Sequence, residues 1–370
     1  MEFLAILWDY VVPFLVVLTV LVFVHELGHY WVARHCGVRV EVFSIGFGPE
    51  IVGWTDKAET RWKISAIPLG GYVKMFGEGD LGPDGELPQP LTAHERQVSF
   101  RYKSLGQRAA IVFAGPAANF IFAIIVLAGL FATLGQPFTP AEIGKVIEGS
   151  AAEKAGMQPG DLIVRIDDDE IERFEEVQQL IRMNPEKTVE IVVVRDGAQV
   201  ALRVTPSLKE VKDRLGNTVR IGLLGVTREG LDFRRHGPVL AVWYAVKETW
   251  DLSVGTLQAV GQIIVGSRSS DELGGPIRIA QMSGEVWKLG VVSLISFMAL
   301  LSINLGLINL FPIPMLDGGH LLFFAFEAIR GRPLGEKAQE YGLRIGVVLV
   351  FGLMLFVIIN DIVSIPIWNT

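Results

Sequence analysis

Two histidines and a glutamate stand together in the segment His25-Glu26-Leu27-Gly28-His29. Residues four apart on a helix share one face, so His25 and His29 can present two imidazole nitrogens to a single zinc ion. Glu26 lies beside them, where a carboxylate can deprotonate a bound water. The spacing therefore predicts two metal ligands and a general base from one helical turn.

The surroundings of this motif argue against a chance match. Buried histidines are usually hydrogen-bonded core residues, but residues 11–33 form an apolar stretch long enough to cross a bilayer. Three ionisable side chains in such a segment are costly unless they are paired, bind a metal or line a water-filled cavity. We therefore predict a metal site, and hydrolysis inside a membrane.

A zinc hydrolase normally needs a third protein ligand, and the best candidate is Asp317. It lies in residues 309–320, where two prolines end an apolar stretch and two glycines allow close backbone approach. The alternative is that Asp317 only caps the helix that follows. His320, Glu327 and His94 are competing ligands. Position in the membrane favours Asp317 over His94, which is in a polar loop, and over Glu327, which is beside a basic turn.

Composition limits the class of protein. The 370 residues are 50% hydrophobic, which fits several membrane spans and at least one soluble module. The formal net charge of -7, without a long basic cluster, gives no indication of a nucleic-acid partner. Cys36 is the only cysteine, so a metal must use histidine and carboxylate ligands. The N-terminus lacks a basic start before its apolar run, and we expect a retained span rather than a signal peptide.

Four stretches are long and apolar enough to cross a membrane, namely residues 11–33, 109–134, 291–311 and 344–363. The basic residues near their ends lie in the first and third connections, which favours a cytoplasmic position for both. They are Arg34, Arg39, Arg101, Lys103, Arg108, Arg330, Arg332 and Lys337. Both termini and the long insert would then face outward, with the metal site nearer the cytoplasmic side. The predicted fold class is an α-helical polytopic membrane protein with four transmembrane helices.

The insert, residues 136–228, is predicted to be a separate α+β domain. A strand at residues 143–147 precedes an amphipathic helix at residues 174–183, and two strands joined through Asp196-Gly197 form a hairpin. This order, and the sequence of residues 155–163, resemble a PDZ domain. PDZ domains bind peptide ends by adding a strand to a sheet edge. The alternative is a steric cap without peptide affinity.

Two further segments carry weaker patterns. Residues 39–74 are β-like, with turns at residues 46–49 and 68–72, and form either a hairpin whose edge holds substrate or an ordinary cytoplasmic loop. Residues 238–266 have apolar side chains at helical spacing but carry charges in mid-segment. They are predicted to be interfacial helices rather than a fifth span.

Several motifs in one order resemble the site-2 protease family of intramembrane zinc metalloproteases, over nearly the whole chain. They are His25-Glu26-Leu27-Gly28-His29, residues 43–49, residues 68–75, Gly115-Pro116-Ala117-Ala118-Asn119-Phe120, and residues 302–312 running into Leu316-Asp317-Gly318-Gly319-His320.

This resemblance implies a Zn²⁺ cofactor held by His25, His29 and Asp317, with Glu26 as general base. It also implies substrate contacts at Asn309 and, in a membrane re-entrant hairpin, at Gly46, Phe47 and Gly48. It implies a bacterial inner membrane, a periplasmic PDZ domain, and a single-span membrane substrate such as an anti-sigma factor after a first cut. One departure is that residues 136–228 have room for a single PDZ domain, where many members of the family carry two.

The resulting division of the chain is residues 1–35 (first span), 36–104 (hairpin loop), 105–135 (second span), 136–228 (PDZ domain), 229–288 (interfacial helices), 289–343 (third span and Asp317 segment) and 344–370 (fourth span and tail).

Two rival functions are a PDZ receptor with a structural metal and a metal transporter. Only Asn360 and Asp361 are polar at the outer end of the fourth span, which argues against a transport pathway.

Overall fold

The computed structural model describes residues 7–78, 91–212, 218–228, 230, 232–267, 269 and 273–364. The chain forms two compact units. The helical unit comprises Met1–Ala128, Val242–Leu257 and Ser270–Thr370, and the β-rich unit comprises Gly129–Ala241 and Gln258–Ser269.

The elements follow one another along the chain as helices α1 to α10 and strands β1 to β12. They are α1 (Val12–His35), β1 (Val40–Thr55), β2 (Arg61–Met75), α2 (Ala93–Val98), α3 (Leu105–Thr133), β3 (Gln136–Phe138), β4 (Ile143–Val146), α4 (Ala151–Lys154), β5 (Leu162–Ile166), β6 (Asp169–Glu170), α5 (Phe174–Met183), β7 (Val189–Arg195), β8 (Ala198–Val204), β9 (Ser207–Lys212), β10 (Thr218–Leu223), β11 (Val226–Arg228), β12 (Asp232–Arg234), α6 (Pro238–Ile264), α7 (Pro276–Lys288), α8 (Val291–Asn309), α9 (Asp317–Arg330) and α10 (Glu336–Ser364).

Four helical segments are long and apolar enough to cross a membrane, and they coincide with the four stretches expected from the sequence. They are Leu7–His35, Leu105–Thr133, Val291–Asn309 and Gln339–Val363. A π-helical turn, Leu7–Val11, leads into α1, and Pro13 near the first position of α1 suits a helix start, where its missing N–H costs nothing. The α6 segment is not among these candidates, and its interfacial position stays a prediction.

Strands β1 and β2 form a bent double hairpin, and this corrects one expectation from the sequence. Residues 46–49 and 68–72, expected to be turns, lie inside the strands as bends, with positive φ at Gly46, Gly48 and Gly70. The register pairs residues 42–45 with both residues 71–74 and residues 61–64. A strand has two edges, so residues 40–45 are central and residues 71–75 form an outer edge of this sheet.

The turn between these strands is fastened by one carboxylate. Asp56 accepts hydrogen bonds from the backbone N–H groups of Ala58 and Thr60, at 2.8 and 3.0 Å. It also accepts from the indole N–H of Trp62 at 2.9 Å and from the hydroxyl of Tyr30 on α1 at 3.3 Å. The ring of Trp62 stacks on Phe43 with centroids 4.3 Å apart. These contacts fix the hairpin against the helix that carries the two histidines.

Helix α7 is tied to the ends of two apolar helices. The buried carboxylate of Asp361, in α10, accepts hydrogen bonds from the backbone N–H groups of Gly275, Ile277 and Arg278 at the start of α7. Such capping satisfies donors that a helix N-terminus leaves unpaired. At the other end, Lys288 pairs with Asp9 at 3.1 Å. Helix α7 therefore supports the start of the α1 segment.

The β-rich unit has its own apolar core beneath a four-stranded sheet with the order β6-β5-β7-β8. The predicted hairpin is present, and Asp196 and Gly197 both have positive φ, as a type I′ turn requires. Helix α5 covers the core with Phe174, Val177 and Ile181, three buried residues at helical spacing. Strand β4 pairs with β11, and β3 pairs with β12, which closes the unit around its first and last strands.

Candidate metal centre

One face of α1 presents the two histidines to the interior of the helical unit. Both are 8% exposed, and their Nε2 atoms lie 3.2 Å apart. Val17 and Leu21, on the same face toward the start of the helix, are also buried and pack against Leu294 of α8. The apolar part of this face anchors the helix, so the histidines occupy defined positions.

The break between α8 and α9 brings Asp317 to the same place. The residue that caps α9 is Leu316, and Asp317 is the first residue of the helix, so its carboxylate is not the cap that the alternative reading required. Its Oδ2 lies 3.1 Å from Nε2 of His25 and 3.5 Å from Nε2 of His29. Among the described residues, these three side chains form the cluster suited to a metal ion.

The spacing of the three ligand atoms fits one zinc ion. Ligands about 2.0–2.1 Å from a tetrahedral zinc lie roughly 3.3 Å from one another. The observed separations of 3.2, 3.1 and 3.5 Å are close to that value. Buried Oδ2 of Asp317 has no hydrogen-bond partner. Two imidazole nitrogens and one carboxylate oxygen at this spacing suit a zinc ion.

Helix α3 approaches α1 closely, and its small residues make this possible. A Cβ at Gly28 would lie 2.3 Å from the carbonyl oxygen of Ala114, and a Cβ at Gly115 would lie 2.2 Å from Nε2 of His29. The close approach lets the Ile111 carbonyl accept a hydrogen bond from Nδ1 of His29 at 2.9 Å. Since a carbonyl can only accept, this bond holds the proton on Nδ1 and leaves Nε2 free to bind a metal.

Glu26 is half-buried beside the cluster and faces the outer edge of the hairpin. The backbone N–H of Val73 is a hydrogen-bond donor to its carboxylate. A Cβ at Gly71 would lie 2.9 Å from Val22 and 3.5 Å from Cγ of Glu26, so this strand can lie over the glutamate only with glycine there. The hairpin edge and the candidate base therefore meet at one place.

The expected substrate-contact residues occupy two regions. Gly46, Phe47 and Gly48 form the bend of β1, and Phe47 is 43% exposed and stacks on Tyr72 with centroids 6.0 Å apart. Asn309 is the last residue of α8, directly before the break that leads to Asp317, and is half-buried.

The competing ligands have other surroundings. Glu327 pairs with Arg108 of α3 at 2.5 Å, and His94 is exposed at the start of α2. His320 packs its ring edge-to-face on Phe323, with centroids 6.4 Å apart. None of the three joins the cluster of described ligand atoms.

A contact that sequence reasoning missed supports the Asp317 segment from behind. A Cβ at Gly346 of α10 would lie 1.7 Å from the carbonyl oxygen of Pro314. Next to that proline, Met315 has a φ of 106°, a conformation that side chains rarely adopt. The segment is thus held in a strained conformation against the fourth apolar helix. The paired glycines Gly342 and Gly346 are a visible signal, but their partner depends on the fold.

Comparison with known proteins decides the family. The profile of peptidase family M50 matches residues 13–353. The chain belongs to this family, the site-2 proteases. A relative from Agrobacterium fabrum, named as a zinc metalloprotease, is 45% identical and covers 97% of each chain. The metalloprotease MmpA of Caulobacter vibrioides is 37% identical over 95% of this chain and 94% of its own.

The regulator of sigma-E protease RseP of Escherichia coli is 34% identical, over 97% of this chain and 99% of its own. That alignment spans 460 positions, more than this chain has residues, so part of the relative has no counterpart here. The chain is therefore a zinc metalloprotease with several membrane-crossing helices and a β region. The readings as a receptor or as a metal transporter are not supported by these relatives.

Proposed function

We propose that His25, His29 and Asp317 hold the zinc ion, that Glu26 is the general base, and that the enzyme cleaves transmembrane segments of single-span membrane proteins. The observation that carries this proposal is the convergence of three ligand atoms at about the spacing of a tetrahedral zinc site. Two of them lie on a helix apolar enough to cross a bilayer, and the third follows the end of another such helix.

When bound, zinc lowers the pKa of a coordinated water and polarises the peptide carbonyl under attack. Glu26 follows His25 directly, and its carboxylate accepts the proton of the attacking water and then donates it to the leaving amine. The Val73 N–H orients that carboxylate from the hairpin side. The Ile111 carbonyl keeps the ring of His29 in the tautomer that binds metal.

A helical substrate must unwind before it can be cut, because its carbonyl groups are engaged in internal hydrogen bonds. The outer edge of the hairpin, residues 71–75, lies beside Glu26. We propose that the opened substrate pairs with this edge, and that Gly46, Phe47, Gly48 and Asn309 contact it. Residues that destabilise a helix near the cut would then promote cleavage.

We further propose that the enzyme lies in the bacterial inner membrane, with both termini and the β-rich unit on the periplasmic side. The distribution of basic residues supports this orientation. The name of the Escherichia coli relative supports an anti-sigma factor as substrate, cut here after a first protease has trimmed it. We also propose that the chain divides at the boundaries predicted from the sequence, with interfacial helices at residues 229–288.

A second proposed function is peptide-end binding by the β-rich unit as a single PDZ domain. A cavity of about 410 Å³ lies between α5 and residues 221–226, which is where an added strand would pair in such a domain. Arg182 and Lys209 are among its lining residues and would attract a carboxylate end. A peptide should bind the full chain in detergent more tightly with a free carboxylate than with a C-terminal amide, whereas a steric cap would bind neither.

The main proposal is tested with Glu26→Gln in detergent or bilayers, using a trimmed single-span substrate. We expect zinc content at the wild-type level and cleavage reduced at least 100-fold, since general-base catalysis contributes about 10²–10⁴-fold. Glu340→Gln, at an exposed position in α10, is the matched control and should cleave normally. Cleavage by Glu26→Gln at the wild-type rate would refute the assignment.

A further inference from the structure

His25 and His29 are fixed through their second ring nitrogens by different groups of α3. The Ile111 carbonyl faces Nδ1 of His29 and leaves no choice of tautomer. The side-chain amide of Asn119 faces Nδ1 of His25, with Nδ2 at 3.1 Å. Unlike a carbonyl, an amide can present either its oxygen or its nitrogen at the same place, by a half-turn about its last bond.

These two orientations have opposite consequences for His25. If the Asn119 nitrogen donates to Nδ1, the ring must carry its proton on Nε2, the atom that faces Asp317 at 3.1 Å. A protonated Nε2 cannot bind a metal. If the oxygen of Asn119 accepts from Nδ1–H, Nε2 is free, as it is in His29.

Zinc binding selects the second orientation, because only the second orientation leaves Nε2 of His25 unprotonated. Asn119 is completely buried, and its Oδ1 has no hydrogen-bond partner when its nitrogen faces His25. Turning the amide therefore breaks no other hydrogen bond of that oxygen. The backbone is fixed independently, because the Ser302 hydroxyl of α8 donates to the Asn119 carbonyl at 2.9 Å. The side chain can therefore turn without moving the helix.

We propose that Asn119 is a positioning residue for the metal site: its side-chain oxygen accepts the Nδ1 proton of His25 and fixes the tautomer that binds zinc. The inference rests on the proposed function, because it concerns the same ligand set. Asn119 thus acts on His25 as the Ile111 carbonyl acts on His29. Each histidine donates its Nδ1–H to an acceptor on α3.

Zinc affinity in the purified full-length protein, measured by competition with a chelator, distinguishes an acceptor from a donor. Asn119→Asp keeps an acceptor oxygen but cannot donate in its ionised form, and we expect it to retain zinc within a few-fold of wild type. Asn119→Leu has similar volume but no acceptor and should bind zinc about 10- to 100-fold more weakly. Ser302→Ala, which removes a bond to the backbone of Asn119, is the matched control for helix packing and should bind zinc normally.

The absorption spectrum of the cobalt-substituted protein adds a readout of ligand geometry that does not depend on activity. Asn119→Asp should keep the wild-type spectrum. The proposal is overturned if Asn119→Asp binds zinc no better than Asn119→Leu, or if Asn119→Leu matches wild type. Absence of zinc from the wild-type protein would instead refute the proposed ligand set itself, so the two failures are distinguishable.

Discussion

Buried polar side chains serve different purposes in the helical unit and in the β-rich unit. In the helical unit, His25, His29, Asn119 and Ser302 are all buried, and hydrogen bonds join α1, α3 and α8 through them. In the β-rich unit the core cluster is apolar, and the buried carboxylate of Asp161 is neutralised by a bidentate bond to Arg195, with both distances 2.7 Å.

The difference concerns what holds each unit together. The β-rich unit can depend on apolar burial, which is the main stabilising term in folding in water. Helices in hydrocarbon gain no comparable term from associating, so close packing and buried hydrogen bonds carry more of the specificity. Substitutions at side chains that contact the metal ligands or their segment should therefore affect zinc binding, whereas substitutions in the apolar core of the β-rich unit should affect its folding.

The largest expected effect is on the core of the β-rich unit. Ile191 is fully buried in the central strand β7, and Ile191→Ala should destabilise the unit by about 2–5 kcal/mol. Hydrogen exchange of residues 189–204 in the full chain measures this loss. Ile147→Ala, the same substitution at a half-exposed position, should change it little. If Ile191→Ala also lowered zinc affinity, the contrast between the β-rich unit and the helical unit would be wrong.

The next effect is on the support of the Asp317 segment. Gly346→Ala places a Cβ against the Pro314 carbonyl and should cost about 1–3 kcal/mol, seen as a loss of zinc affinity of roughly 5- to 150-fold. Gly352→Ala lies on the same helix, where a Cβ would meet nothing within 4 Å, and should bind zinc normally. Equal zinc affinity in both variants would show that α10 does not position the metal site.

The smallest effect is the pH dependence of the β-rich unit. Burial alone would raise the pKa of Asp161, but its hydrogen bonds to Arg195 and to the Gln158 N–H outweigh burial and lower it. A lowered folded-state pKa means that this stabilisation is complete above the unfolded value of about 3.9 and is lost as pH falls below it. Hydrogen exchange between pH 6 and 3 should show this loss in wild type and less of it in Asp161→Asn. Identical pH profiles would contradict the assignment.

Sequence reasoning succeeded where a signal is local. The length of the apolar stretches located the four long helices, and Asp196-Gly197 marked the β7–β8 hairpin. It could not show that residues 46–49 and 68–72 are bends within strands, because glycine and proline mark turns and bends alike. It proposed Asp317 as the third ligand beside His25 and His29, but it gave no indication that α10 packs against the segment before Asp317.

Contacts between helices could not be predicted from the sequence. Asn119 and Gly346 are noticeable in apolar helices, but their partners, His25 and Pro314, are distant along the chain and are not indicated by the sequence. Apolar helices present similar surfaces all round, so their mutual rotation is decided by packing of small residues and by a few polar bonds.

X-ray absorption at the zinc edge of the purified protein tests the central claim most directly. The account predicts two imidazole nitrogens at about 2.0–2.1 Å and one carboxylate oxygen at about 2.0–2.2 Å in the first coordination shell. Asp317→Asn should weaken zinc binding and alter that shell. A wild-type shell without imidazole, or one unchanged in Asp317→Asn, would contradict the account.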